Sequence, residues 1–274
     1  MIYGFMKLFS MVFLLLFALD GFLQKRDIWQ FKSRVLYKYS FQSDSTNSAT
    51  KRIVLSELFI GDTMALFQTR KKTVRDSTIF QSGHSGRITI YVGEINPLNF
   101  QILQGKTQLT TFESLNGLSL ELNNELYCYK EKAELPWQLT SDTMVIHDIS
   151  CQKALLQWEG RNWIVWFAPD IPIPHGPYKF EGLPGLIVRA YDTKNFFHFD
   201  LQSLQLDKEL GVPMKIRPDL SVIQTTKKGF YAMRRNLRDN MYEMGVAAGQ
   251  KPREKTKKFA AILQRTDNNH IEKY

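Results

Sequence analysis

The chain has 274 residues and only two cysteines, Cys128 and Cys151, with no C-x-x-C spacing that would suit thiol–disulfide exchange. None of its five histidines pairs with another at metal-ligand spacing, and H-E-x-x-H does not occur, so no metal site is expected. No glycine-rich phosphate loop follows a strand-like run. The nearest candidate, Gly182–Gly185, contains Pro184, which has no amide hydrogen to donate. Gly83–Arg87, GHSGR, falls short of a serine elbow because Arg87 stands where glycine is needed, and Ser85 reads as a hairpin residue. No internal repeat, heptad run or long linker is present. These absences leave no catalytic residue and no cofactor to assign from motifs.

Long apolar runs are also missing. The longest uncharged one, Leu8–Leu19, has twelve residues, against the roughly 20 that span a bilayer. Lys7 precedes it, and Asp20, Lys25, Arg26 and Asp27 follow. That is the layout of a secretory signal peptide, read here as residues 1–21, although Ala18-Leu19-Asp20 is a poor match to a small-x-small cleavage site. The expectation is an exported protein, periplasmic or outer-membrane associated, with residues 22–274 as a single domain. In an oxidising compartment Cys128 and Cys151, both in strand-like segments, are expected to form a disulfide. Two buried thiols are the alternative.

The net charge of +9 is concentrated late in the chain. Residues 227–258 carry ten basic side chains against Asp239, Glu243 and Glu254. Export argues against nucleic acid as the partner. An anionic surface met by the basic segment 225–264 is one reading, and a solvated charged face is the other.

The dominant pattern is short apolar or alternating runs broken by turn residues at about ten-residue intervals, the mark of antiparallel strands. Strands are expected at 33–41, 55–60, 64–69, 87–92, 98–103, 106–113, 118–122, 125–129, 144–150, 153–158, 162–167, 185–191 and 196–206. Asn116-Gly117 and Gly160 mark hairpin turns. Helical spacing of Phe230, Met233, Leu237 and Met241 predicts a helix over 225–242, and a second is expected over 254–264. The loop 43–50 and the tail TDNNHIEKY are wholly or mostly polar and are expected to stay unpacked. The fold class is therefore mainly β: a strongly curved antiparallel sheet or incomplete barrel, with one or two C-terminal helices.

One stretch is unusually rigid. Asp170–Pro177, DIPIPHGP, leads into Tyr178–Ile187, YKFEGLPGLI. Leu183-Pro184-Gly185-Leu186 predicts a type II turn with Gly185 at positive φ. The string Gly182, Leu183, Pro184, Gly185, Leu186, Ile187 resembles the signature of the GLPGLI family of exported Bacteroidetes proteins. CQKA at Cys151–Ala154, the Gly160-Arg161 turn followed by WIVWF, and DIPIPHGPYKF are similar as well, although the tail reads NNHIEKY where relatives tend to carry Asn-Pro-Ile-Glu. The resemblance implies export, a β-rich body and a loose association with TonB-dependent transporters. It implies no biochemical activity.

Two functional readings follow. In the first the protein is a non-enzymatic cell-envelope component that binds a lipid, another apolar ligand or an outer-membrane protein. His175, Tyr178, Lys179, Glu181 and Arg189 would form the rim of its site, and Trp137, Trp158, Trp163 and Trp166 an apolar cleft. In the second it is a hydrolase or peptidase-like enzyme using His175 with Asp170 or Glu181. The same polar residues also suit an exposed loop, and the same tryptophans a core.

Overall fold

The structure is a computed structural model that describes residues 30–74, 100–115, 125–206, 210, 221–247, 254–266 and 268–273. The apolar run 8–19, Ser85, Asn116-Gly117 and the strands expected at 87–92 and 118–122 lie outside the described residues.

Twelve strands form one sheet that does not close. They are β1 (Ser33–Gln42), β2 (Lys51–Ile60), β3 (Met64–Thr69), β4 (Phe100–Gly105), β5 (Gln108–Glu113), β6 (Glu125–Lys132), β7 (Gln138–Ile146), β8 (Ile149–Trp158), β9 (Arg161–Ala168), β10 (Leu186–Asp192), β11 (Phe197–Gln205) and β12 (Ser221–Gln224). Their order is β12-β6-β5-β4-β3-β2-β1-β11-β10-β9-β8-β7. All neighbours are antiparallel except β12 and β6, which run parallel. Two helices follow, α1 (Lys227–Ala247) and α2 (Glu254–Thr266). The main expectation, a β-rich open sheet with C-terminal helices, matches this architecture.

The sheet curls strongly. β6 is second in the order and the β8–β9 turn lies near its opposite end, yet Lys227 Nζ stands 2.8 Å from Glu131 on β6 and 2.7 Å from Glu159 in that turn. The central strands face one another across the curl through Val35, Tyr37, Leu58, Phe67, Ile102, Val165, Phe167, Ala190 and Phe199, all fully buried. Tyr39 stacks on Phe199 at 4.2 Å between ring centroids. Alternating β-branched and aromatic residues make these strands, because alternate side chains reach the same face.

Hairpins close where residues accept the left-handed region. Glu159 and Gly160 have φ of 49° and 69°, as a type I′ turn requires. His147 and Asp148 do the same at 49° and 61°. This corrects the single strand expected over 144–150: the segment holds the end of β7, a two-residue turn and the start of β8. β12 was not anticipated either, since its four residues are all exposed and it pairs with a strand far away in the chain.

Candidate functional site

The rigid corner lies inside the curl. Tyr178, Lys179, Phe180, Leu183 and Leu186 are all buried, Lys179 and Phe180 completely. Phe180 sits among Trp163 at 4.7 Å, Trp137 and Trp158 at 6.1 Å, Tyr178 at 6.2 Å and Phe199 at 6.3 Å between ring centroids. Three of the four tryptophans expected to line an open cleft, Trp137, Trp158 and Trp163, are thus packed on the corner. Trp163 and Trp166 are buried, while Trp137 and Trp158 are half-buried against the core.

Backbone clasps hold the corner. Gln104 on β4 donates from Nε2 to the carbonyls of Gly176 and Tyr178, both at 2.8 Å. Tyr37 Oη donates to the Ile187 carbonyl at 2.7 Å, and Trp137 Nε1 to the Glu181 carbonyl at 2.8 Å. The glycines have other roles than the pattern suggested. Gly182 adopts positive φ, +87°, and Gly185 does not, so there is no type II turn at Pro184-Gly185. Gly185 is needed for close approach: a Cβ there would stand 2.1 Å from the Ala168 carbonyl oxygen. At Gly176 a Cβ would meet Ile187 Cδ1 at 2.6 Å.

The C-terminal tail, expected to be free, is docked against this core. Arg161, the first residue of β9, donates from Nε to the carbonyls of His270 and Ile271 at 3.1 Å and from Nη2 to Asn269 Oδ1 at 2.6 Å. Its Nη1 meets Asp192 at 3.1 Å, and its guanidinium lies 4.4 Å from the Phe197 ring centroid. Asn269 Nδ2 donates to the Gln42 carbonyl at 2.6 Å, and Asn268 Nδ2 to Asp44 Oδ1 at 2.9 Å. The polar loop 43–50 is therefore part of a receptor for the tail, and Asp44 is buried.

The tail carries Glu272 into a buried ionic cluster. Glu272 has no exposed surface and lies 2.7 Å from Lys179 Nζ and 2.5 Å from Lys227 Nζ. Tyr178 Oη donates to it as well. Lys179 also pairs with Glu131, and its Nζ is 5.1 Å from the Tyr129 ring centroid. Burial alone would lower the pKa of the Lys179 ammonium, but Glu272 and Glu131 outweigh it and hold the pKa above the ordinary lysine value. Burial would likewise raise Glu272, and the two lysines pull it below the usual carboxylate range. Glu113 differs. Burial pushes it up to about 7, only partly offset by Arg234 at 3.3 Å and by Lys179. The carboxylates of Glu131, Glu159 and Glu272 converge closely, but Lys227 contacts all three and with Lys179 supplies the positive charge of the cluster.

His175 lies at the corner's edge. Its Nδ1 is 3.1 Å from Gln104 Oε1 and 3.7 Å from Glu181 Oε2, and the two residues form an isolated antiparallel bridge. Burial raises the Glu181 pKa, with His175 opposing it. Arg189 lies apart from this group and pairs with Asp200 at 2.6 Å. Of the five residues expected to form a rim, Tyr178, Lys179 and Glu181 are buried, while His175 and Arg189 are half-buried.

The disulfide expected between Cys128 and Cys151 is not formed. Both thiols are free and buried. The residues occupy β6 and β8, second and eleventh in the sheet order, and belong to different apolar clusters. Burial raises both pKa values, that of Cys151 to about 11, which keeps the thiols protonated and unreactive.

One open concavity lies beside the corner's approach. It has a volume of about 340 Å³, with Ile60, Ile171, Pro172, Ile173 and Leu206 forming apolar walls. Lys32, Asp62 and Asp170 stand at its edge, where Lys32 and Asp62 pair at 2.8 Å. The proline-rich approach thus forms one wall, and sequence reasoning missed Ile60, Lys32 and Leu206 opposite it.

Comparison with known proteins places a name on one segment. A Bacteroidetes-associated family described as "Protein of unknown function (Porph_ging)" matches residues 156–189. The match runs from the end of β8 through Arg161 and the corner, and so includes Gly182–Ile187. No curated protein matches the chain. PNGF-II, solved in P21 and C2 space groups, is 14% identical with a TM-score of 0.49 in both. Each alignment covers 76% of this chain but only 34% or 33% of PNGF-II, so the chain spans about a third of that protein's length.

Proposed function

We propose that the protein is an exported cell-envelope component of the GLPGLI kind that binds and does not catalyse. Its binding site is the groove walled by Asp170–Ile173, and its occupant is an apolar segment of an outer-membrane protein. The observation that carries this is how the interior is filled. The corner and the tail occupy the curl, so the aromatic cleft offers its surface to the protein's own chain, and the groove is an open concavity beside them, lined by described residues. Its volume is at the lower end for small-ligand pockets and suits one or two apolar side chains better than a whole lipid. The uncharged run Leu8–Leu19 supports export, and the match over 156–189 supports the GLPGLI relationship.

The hydrolase reading has less support. A general base needs a partner at about 2.6–3.2 Å, and the group at that distance from His175 is an amide oxygen, Gln104 Oε1. Purification from envelopes in mild detergent, followed by mass spectrometry, tests the proposal. A membrane protein should accompany the wild type and be lost from Leu206→Glu, a substitution at an exposed groove position. The same partner held equally by both proteins would refute the groove.

A further inference from the structure

We infer that the α1–α2 pair is an arm that docks on an anionic lipid surface, a second contact independent of the groove. α1 is fixed to the body over its first two turns, where Met233 packs on the body and Arg234 pairs with Glu113 at 3.3 Å. Thr226 caps the helix, accepting from the Gly229 amide at 3.0 Å, and Phe230 and Tyr231 are buried against Tyr129. Beyond Tyr231 no described side chain of α1 is buried, and the helix continues to Ala247, roughly 24 Å at 1.5 Å per residue. In α2 the buried described side chain is Ala260. The helices hold each other through Gln264, which donates to the Asp239 carbonyl, and through Lys257, whose Nζ lies 5.8 Å from the Tyr242 ring centroid.

The exposed surface of this arm has two components. Lys228 and Arg235 are exposed and lie seven residues apart, so they share the helix face opposite Phe230. Val246, 49% exposed and eighteen residues after Lys228, falls on the same face, as does Asp239, whose carboxylate is paired with Arg238 at 2.8 Å. On α2, Lys257 and Lys258 are exposed too. Residues 227–258 carry ten basic side chains and three acidic ones. Positive charge alone suits any polyanion. Basic residues interleaved with an exposed apolar side chain on a projecting helix suit the boundary between headgroups and acyl chains. A folded acidic protein would be matched by the charges but would leave Val246 without an apolar partner.

Co-sedimentation of the full chain with vesicles tests this. Phosphatidylcholine vesicles containing 30% phosphatidylglycerol should pellet the protein at about 50 mM salt, whereas pure phosphatidylcholine should not, and about 500 mM salt should reverse the binding. Each basic side chain neutralised should weaken partitioning about fivefold. Lys228→Gln with Lys258→Gln should therefore lower it roughly 25-fold, with the circular dichroism spectrum unchanged. Val246→Ser should weaken binding while keeping the lipid selectivity. Equal binding to both vesicle types would overturn the inference. So would binding to soluble poly-glutamate without binding to vesicles, which would point to an acidic protein instead. Neither outcome bears on the groove, whose occupant is tested separately by Leu206→Glu.

Discussion

Replacing Glu272 by glutamine should destabilise the protein by about 3 kcal/mol at pH 7, the lower end of the cost of breaking a buried ion pair from one side. The carboxylate is fully buried between Lys179 and Lys227 and accepts from Tyr178. Glutamine preserves shape but removes the charge. Lys179, with no exposed side-chain surface, then keeps one carboxylate, Glu131, while Lys227 keeps Glu131 and Glu159. For a domain of this size the melting midpoint should fall by roughly 6–12 °C. The pH dependence is a second, sharper readout. Glu272 titrates below its ordinary value of 4.5, so its contribution is present above that pH and is lost as pH falls through the folded-state value. Denaturant melts of wild type and Glu272→Gln should therefore differ at pH 7 and converge as the pH is lowered below 4.5. A difference under 1 kcal/mol at pH 7, or one that persists unchanged in acid, would refute the ionic role of the tail. Lys179→Met combined with Glu272→Leu should recover most of the loss, because a buried pair replaced by apolar groups leaves no unpaired charge between them.

Other substitutions probe other parts of the structure. Glu113→Gln should stabilise the protein at pH 8 by up to about 3 kcal/mol, because a carboxyl with its pKa raised to about 7 favours folding below 4.5 and loses that contribution as pH rises to 7. The gain should vanish in urea melts at pH 4. Gly185→Ala should cost more than about 2 kcal/mol, since its Cβ meets the Ala168 backbone, and a midpoint within 2 °C of wild type would contradict the close approach. Ellman titration should find two thiols after denaturation without reductant and almost none in the native protein. Arg161→Lys should loosen the tail, because a single ammonium cannot reproduce the contacts to Asp192, Asn269, His270 and Ile271. Hydrogen exchange at 268–273 would report it.

Much of the fold was legible because strand patterning is local. β3 matches the expected 64–69 at both ends, and most other described strands shift by a few residues. The Glu159-Gly160 turn was visible through its glycine. The His147-Asp148 turn was not, because neither residue is a glycine and both sit between apolar runs that alternate like one strand. The site was far less legible. Lys179 reads as a surface lysine until Glu131, from β6, and Glu272, from the C-terminal tail, are brought to it. The tail and the loop 43–50 read as solvated for the same reason: their polar groups are satisfied by each other and by Arg161. The corner was recognised as rigid, but not as the filling of the core it was expected to border. A proline-glycine pattern reports stiffness and carries no information about what the stiff segment packs against.

We propose that the protein acts through its open groove and not through its interior. Site-specific photo-cross-linking in intact cells tests it most directly, with a benzophenone side chain placed at Leu206 in the groove or at Val145, exposed on edge strand β7. A discrete adduct with an outer-membrane protein is expected from position 206 and none from position 145. Adducts from both positions alike, or from neither, would contradict it.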